Sequence, residues 1–156
     1  MRRRNRDRGF TLIELLIVIT IILIIVAVAI PRFQKAQIQP NEMSAIKSLQ
    51  TLFTVELMYQ NSHPNEGFSP DLASLGTTGQ GGGEQAIDQN LASGRKSGYT
   101  FTYTPGEKIN GAIRTFTITA VPDQLGTTGQ RRFYIDEGGQ VHYNTSGPAG
   151  LESPTI

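Results

Sequence analysis

Three patterns of apolar and polar positions succeed one another along the chain. From Phe10 to Ile30 it reads FTLIELLIVITIILIIVAVAI, about 21 residues in which Glu14 is the only charge. At 1.5 Å per residue such a helix spans the hydrocarbon core of a bilayer. Beyond Pro31 and Pro40 the pattern turns amphipathic. Met43, Ile46, Leu49, Phe53 and Leu57 fall on one face and Glu42, Lys47, Thr51 and Thr54 fall elsewhere, which predicts a continuation of the helix to about Tyr59. Both prolines remove a helical hydrogen bond, and Gln34, Gln37 and Gln39 lie between them, so Pro31 and Pro40 are expected to kink the helix over 31–40. Asn61-Ser62-His63-Pro64 supplies the stop, with His63 as a turn residue.

After Gly98 the period changes to two. Tyr99, Phe101 and Tyr103 alternate with Thr, and Phe116, Ile118 and Ala120 form a second run. Arg132 to Asp136 and Gln140 to Asn144 complete four antiparallel strands in a meander, punctuated by Pro105-Gly106, Asn110-Gly111, Pro122 to Gly129, and a tight hairpin at Glu137-Gly138-Gly139. The expected fold class is α+β: a long N-terminal membrane-spanning helix whose amphipathic half covers a four-stranded antiparallel sheet. Between helix and sheet, Pro70-Asp71-Leu72-Ala73-Ser74-Leu75 and Glu84 to Ser93 read as short helices flanking a Gly-rich loop, residues 76–83. That loop lacks the Lys-Ser/Thr ending of a phosphate-binding loop and follows no strand. LGTTGQ occurs at 75–80 and again at 125–130 with unmatched flanks, which reads as two similar surface loops.

Composition narrows the function. With 156 residues there is room for one modest core, and with no Cys there is neither a disulfide framework nor a thiol site. The net charge of +1 belongs to the tail: the first nine residues, MRRRNRDRG, hold five Arg against one Asp, leaving about −3 for the rest. Arg131-Arg132 and Arg95-Lys96 are the only basic pairs outside that tail and form no stripe, so the folded part shows no clear nucleic-acid surface. His63 and His142 are the only histidines, and neither sits in a nucleophile motif or at metal spacing. No catalytic residue, metal site or cofactor is assigned, and His142 is placed on the sheet surface. The Arg cluster before the apolar run places the N-terminus in the cytoplasm and everything after Pro31 outside it.

Glu14 carries the most information. A lone carboxylate at the centre of a bilayer helix costs about 2.5 to 3.5 kcal/mol, and such groups usually have a functional partner. The plain alternative is a capping box, Thr11-Leu-Ile-Glu14, in which Glu14 reaches back to an orphan N–H of the first turn. The surrounding residues decide between them. Arg8-Gly9-Phe10-Thr11-Leu12-Ile13-Glu14-Leu15-Leu16 resembles, residue for residue, the processing site of type IV pilins and type II secretion pseudopilins. The resemblance covers about the first 25 residues. It implies cleavage between Gly9 and Phe10 by a prepilin peptidase, N-methylation of Phe10, and Glu14 as the acidic assembly residue. It further implies an inner-membrane subunit that lies in lipid before assembly and passes through an inner-membrane platform. Its lasting partners are then copies of itself or other pilins, in a helical filament that is periplasmic or extracellular.

On that basis the chain divides into a cytoplasmic leader (1–9), a transmembrane and assembly helix (10–30), an amphipathic continuation (31–61), a loop and short-helix region (62–98), the sheet (99–144) and a C-terminal tail (145–156). Two departures bear on which machine is served: without Cys there is no C-terminal disulfide loop, and the calcium-loop-rich tail of the major type II secretion pseudopilin is not recognisable. A pilus subunit is the leading reading, with a type II secretion or competence pseudopilin as the alternative. An ordinary signal peptide cut after Ala27-Val28-Ala29 competes, but it does not account for the long apolar run or for Glu14, and it would leave Pro31 second in the product. In a different class stands a membrane-anchored binding module presenting Tyr99, Tyr103, Tyr134 and Tyr143 to a glycan or protein.

Overall fold

The computed structural model describes residues 10–77 and 87–156. The leader, Gly9 included, and most of the Gly-rich loop lie outside the described residues. Three helices, α1 (Leu12–Ser62), α2 (Leu72–Thr77) and α3 (Gln89–Ala92), precede seven strands: β1 (Arg95–Lys96), β2 (Tyr99–Pro105), β3 (Lys108–Ile109), β4 (Ala112–Ile113), β5 (Phe116–Pro122), β6 (Arg132–Asp136) and β7 (His142–Asn144). Contacts divide the chain into two units between Lys35 and Ala36. In the first, α1 is long and apolar enough to cross a membrane, and every described side chain from Phe10 to Ile30 is exposed.

The second unit is an α+β domain in which the later part of α1 packs on an antiparallel sheet of order β1-β2-β5-β6-β7. That is five strands rather than four. The additional strand, β1, is a two-residue basic segment, too short to show alternation in sequence, and it pairs Arg95 with Thr100 and Lys96 with Tyr99. β2 and β5 pair over seven positions, from Tyr99↔Pro122 to Pro105↔Phe116. Period two then puts Tyr99 and Phe101 with Phe116, Ile118, Ala120, Phe133 and Ile135 on the face toward the helix. The Asn110-Gly111 signal makes a small hairpin of its own, β3-β4, with both residues at positive φ (53° and 87°).

The helix face differs from the expected stripe. Ile46 and Leu49 are buried as predicted, but Met43 and Leu57 are 52% and 38% exposed, and the buried set runs Glu42, Ala45, Ile46, Ser48, Leu49, Leu52, Val55, Glu56, Tyr59. A stripe chosen from large apolar residues overlooks Ala45, which permits close approach, and it assigns Glu42 to solvent. Both acids are tolerated because the domain supplies N–H and O–H donors to them. α1 then ends one turn beyond Tyr59. His63 N donates to Tyr59 O at 2.9 Å, and its ring stacks on Tyr59 with centroids 4.3 Å apart, the turn role expected of it.

The chain reverses at Gly67, whose φ of +81° is in the left-handed region. Ile113 N donates to Glu66 O, and Phe68 N to Ile113 O at 3.0 Å. A Cβ on Gly67 would stand 2.0 Å from Ile113 O. Gly67→Ala is therefore expected to cost about 2 kcal/mol or more, through both strain and a backbone clash. A lowered denaturant midpoint of the full chain in detergent micelles would show it; an unchanged midpoint would contradict it.

Three further expectations are corrected. Ladder pairing between β6 and β7 stops at Tyr134↔His142, so the connection is longer than a tight hairpin. Asp136 closes it by accepting Gly138 N on Oδ1 and Gly139 N on its carbonyl. His142 is buried rather than on the surface, because residues 153–156 fold back over β7. Its Nδ1 lies 2.7 Å from Ser153 O, while Tyr143 N donates to Pro154 O and Ile156 N to Val141 O. The tail thereby covers a sheet edge that would otherwise be open. The two LGTTGQ copies are not equivalent either: Leu75 is a fully buried residue of α2, whereas Leu125 is exposed in a loop where Gly126 N donates to Gly129 O. The short helices themselves start on acids. Asp71 Oδ1 accepts from Ser74 N, and Asp88 Oδ1 from Leu91 N.

Candidate functional site

The N-terminal end of α1 is built around Thr11 and Glu14. Thr11 N donates to Glu14 Oε2 at 3.0 Å, Thr11 Oγ1 donates to the same oxygen at 2.9 Å, and Glu14 N donates to Thr11 Oγ1 at 3.3 Å. Two donors at the helix start are thus satisfied reciprocally, the capping box that the spacing predicts. Among the described residues Glu14 Oε1 accepts no hydrogen bond, so the cap uses only one of the two carboxylate oxygens. Phe10 precedes the helix and is 90% exposed. The polar group of Thr20 is returned to the helix by donation to Leu16 O at 2.7 Å, leaving Glu14 as the polar outlier of the apolar surface.

That surface has a physical consequence. Burial of a large apolar side chain contributes about 1.5–3 kcal/mol, so a coat of exposed apolar side chains from Leu15 through Ile30, broken only by Thr20, does not remain in water. It needs lipid or other helices. The described positions of Phe10, Thr11 and Glu14 come together as one terminal constellation; Pro31 and Pro40 lie further along the same helical assignment.

The tyrosines of the rival reading are occupied. Tyr99 is fully buried and donates to Arg131 O at 2.9 Å; burial pushes its hydroxyl pKa up. Tyr103 donates to Ser69 O at 2.7 Å and is likewise pushed up by burial. Tyr143 packs beside the core with the Arg131 guanidinium 5.5 Å from its ring, and Tyr134 reaches Asp136 Oδ2 at 3.4 Å. They do not form an open aromatic platform.

Two buried carboxylates were not picked out by sequence reasoning. Glu42 accepts from Gln130 N, Arg131 N and Arg131 Nε at 2.9, 3.1 and 2.8 Å. Glu56 accepts Ser69 N at 3.0 Å and the Ser69 hydroxyl on its other oxygen, and desolvation raises its pKa despite these bonds. The available signal was an acid directly following Pro40-Asn41 in the one case, and an acid between Val55 and Leu57 in the other.

An apolar membrane-length helix opening on a capped acid, followed by an α+β domain, is a pilin-like arrangement. The comparisons narrow the class: residues 4–30 match the prokaryotic N-terminal methylation motif. A stretch of 73 residues is 41% identical to the type IV major pilin protein PilA of Myxococcus xanthus (strain DK1622), covering 42% of this chain and 33% of that protein. The chain thus spans about a third of the length of the curated relative it matches. No solved structure gives a significant match. The N-terminal region thus resembles the methylated start of such proteins.

Proposed function

We propose that this chain is the structural subunit of a type IV pilus or a related pilin-like filament, cut after Gly9 and assembled through residues 10–30. The observation that carries the reading is Glu14 within an otherwise apolar exposed helix, directly after a Gly-Phe junction. Cleavage removes the Arg-rich leader and turns the Phe10 amide into an α-amino group, which N-methylation leaves basic. With an ordinary pKa of about 7.7–8.0, such an amine is largely protonated near neutral pH. It is the natural partner for a carboxylate that has one oxygen uncommitted among the described residues.

Moving the helix from lipid into a bundle of like helices gains little hydrophobic energy, since lipid tails are as apolar as the side chains. Packing and polar pairing must then decide which helix docks where. A neighbour's Phe10 amine on Glu14 satisfies both charges in a low-dielectric core and sets the axial register, a role in specificity rather than in large net stability. A prepilin peptidase and an inner-membrane platform are the machinery this route requires.

The test is the N-terminal mass of the mature protein from membrane and sheared extracellular fractions. N-methyl-Phe10 is expected in both. A first residue of Ile30, or an uncut Met1, would replace the filament subunit with an exported or simply anchored domain.

A further inference from the structure

Three elements of the domain unit meet at one buried hydroxyl. Glu56 of α1 and Ser69 of the segment between α1 and α2 are both fully buried, and Tyr103 of β2 donates to Ser69 O at 2.7 Å. Ser69 N donates to Glu56 Oε2 at 3.0 Å, while Ser69 Oγ lies within hydrogen-bond reach of two oxygens, Glu56 Oε1 and, at 3.2 Å, Asp71 O. A hydroxyl has a single hydrogen to give. With Glu56 ionised, the N–H and O–H of Ser69 are two donors facing three acceptors, around a charge that has left water. Among the described residues the ion pairs are Lys96 with Asp88 and Arg131 with Glu42, so no cation offsets that charge. The other titratable groups facing the cluster are Tyr59 of α1, Tyr103, and Glu66 and Asp71 of the connecting segment. His63 stacks on Tyr59 and turns its Nδ1 to Tyr59 O at 3.1 Å.

We infer that Glu56 and Ser69 form a clasp closed by one proton: Glu56 Oε1–H donates to Ser69 Oγ, the Ser69 hydroxyl turns to Asp71 O, and loss of that proton releases residues 66–72 from α1. The protonated arrangement matches three donors to three acceptors and leaves no buried charge. Losing the proton to solvent returns the Ser69 hydrogen to the carboxylate, takes it from Asp71 O and leaves the charge in place. Burial raises the Glu56 pKa, the direction the clasp requires. The segment it holds is apolar. Phe68 N donates to Ile113 O and Ile113 N to Glu66 O, the Phe68 ring meets Phe116 edge-on with centroids 4.7 Å apart, and Leu72 is buried. Opening frees these residues, while the pairing of β5 with β2 and β6 involves none of them. The clasp lies within the domain and does not depend on the filament reading.

Two measurements on the full chain in detergent micelles test it. In the infrared difference between wild type and Glu56→Gln, the carbonyl stretch of a protonated acid is expected to persist at pH values where exposed carboxyls have ionised. In hydrogen exchange corrected for its intrinsic pH dependence, protection over 66–72 is expected to fall about tenfold or more as pH rises through the folded value, while β5 and β6 stay protected. Glu56→Gln offers an amide N–H to Ser69 Oγ and a carbonyl to Ser69 N at every pH, so its protection over 66–72 should not respond. An acid band that disappears together with those of the exposed carboxyls, or protection over 66–72 that changes equally in wild type and variant, would overturn the clasp. Where the variant does not fold, the wild type decides alone: a loss of protection confined to 66–72 on raising the pH supports the clasp, and constant protection there removes it.

Discussion

Glu14→Ala is expected to insert in the membrane and be trimmed after Gly9 as the natural chain is, yet to be nearly absent from sheared fibres. If the carboxylate meets a neighbour's amine in the fibre core, removing one partner leaves the other charge buried and alone. Losses of that kind run to about 3 kcal/mol or more, roughly a hundredfold or more in a docking constant. The capping box provides the control. Glu14 Oε2 is committed to Thr11 N and Thr11 Oγ1, so part of any loss could come from a frayed helix start. Thr11→Ala removes the hydroxyl side of the cap and keeps the acid; it is expected to cost about 1 kcal/mol of helix-end stability and to leave fibres largely intact. Quantifying fibre-borne subunit for both variants separates the roles. Equal losses would reduce Glu14 to a cap, and normal incorporation of Glu14→Ala would end the assembly role altogether.

The second large effect is expected at Glu56. It is fully buried, and both oxygens are used by Ser69, whose carbonyl in turn receives the Tyr103 hydroxyl. The acid fastens the segment after Gly67 to the helix. Glu56→Ala leaves Ser69 N and its hydroxyl without their acceptor and adds a cavity, for an expected loss of about 3 kcal/mol. Glu56→Gln keeps one acceptor and the volume and should lose far less.

The same residue gives a pH signature. Desolvation raises the Glu56 pKa in the folded chain above its ordinary value of 4.5, so the folded state holds the proton more tightly than the unfolded state does. Its contribution is fully present below 4.5 and is lost as pH rises through the raised folded value. Asp71 and Asp88 act oppositely: hydrogen bonds from Ser74 and from Lys96 hold their carboxyls below the usual range, and stability from them is lost on acidification. The informative quantity is therefore the wild type minus Glu56→Gln difference in unfolding free energy. It should move in favour of the wild type as pH falls toward 4.5. A difference that is flat with pH would mean that folding leaves the Glu56 pKa at its unfolded value, and one that turned against the wild type on acidification would mean that the folded chain holds Glu56 as a carboxylate.

Much of the architecture was legible in the chain because it depends on local chemistry. The Thr11 to Glu14 spacing fits a capping box, the plainer of the two readings of Glu14, and the box is present. Alternation of Tyr99, Phe101, Phe116, Ile118 and Ala120 assigns a buried face as soon as the segments pair, and each of these residues is buried. What escaped the pattern were residues whose partners are far away in sequence. β1 has too few residues to announce itself and exists because β2 offers an open edge. His142 could not be placed before the tail was seen to fold over β7.

By itself, then, the sequence determined the membrane-length helix, the Gly9-Phe10 junction with its acid at Glu14, and the helix-then-sheet order. These rest on hydrophobic length, helix-end hydrogen bonding and side-chain period, all properties of neighbouring residues. Only the tertiary structure decided that Glu42 and Glu56 are interior, and how the sheet edge is closed. A carboxylate is unfavourable inside a protein unless donors converge on it, and here those donors arrive from Gln130 and Arg131, 88 and 89 residues away from Glu42, and from Ser69, 13 residues from Glu56.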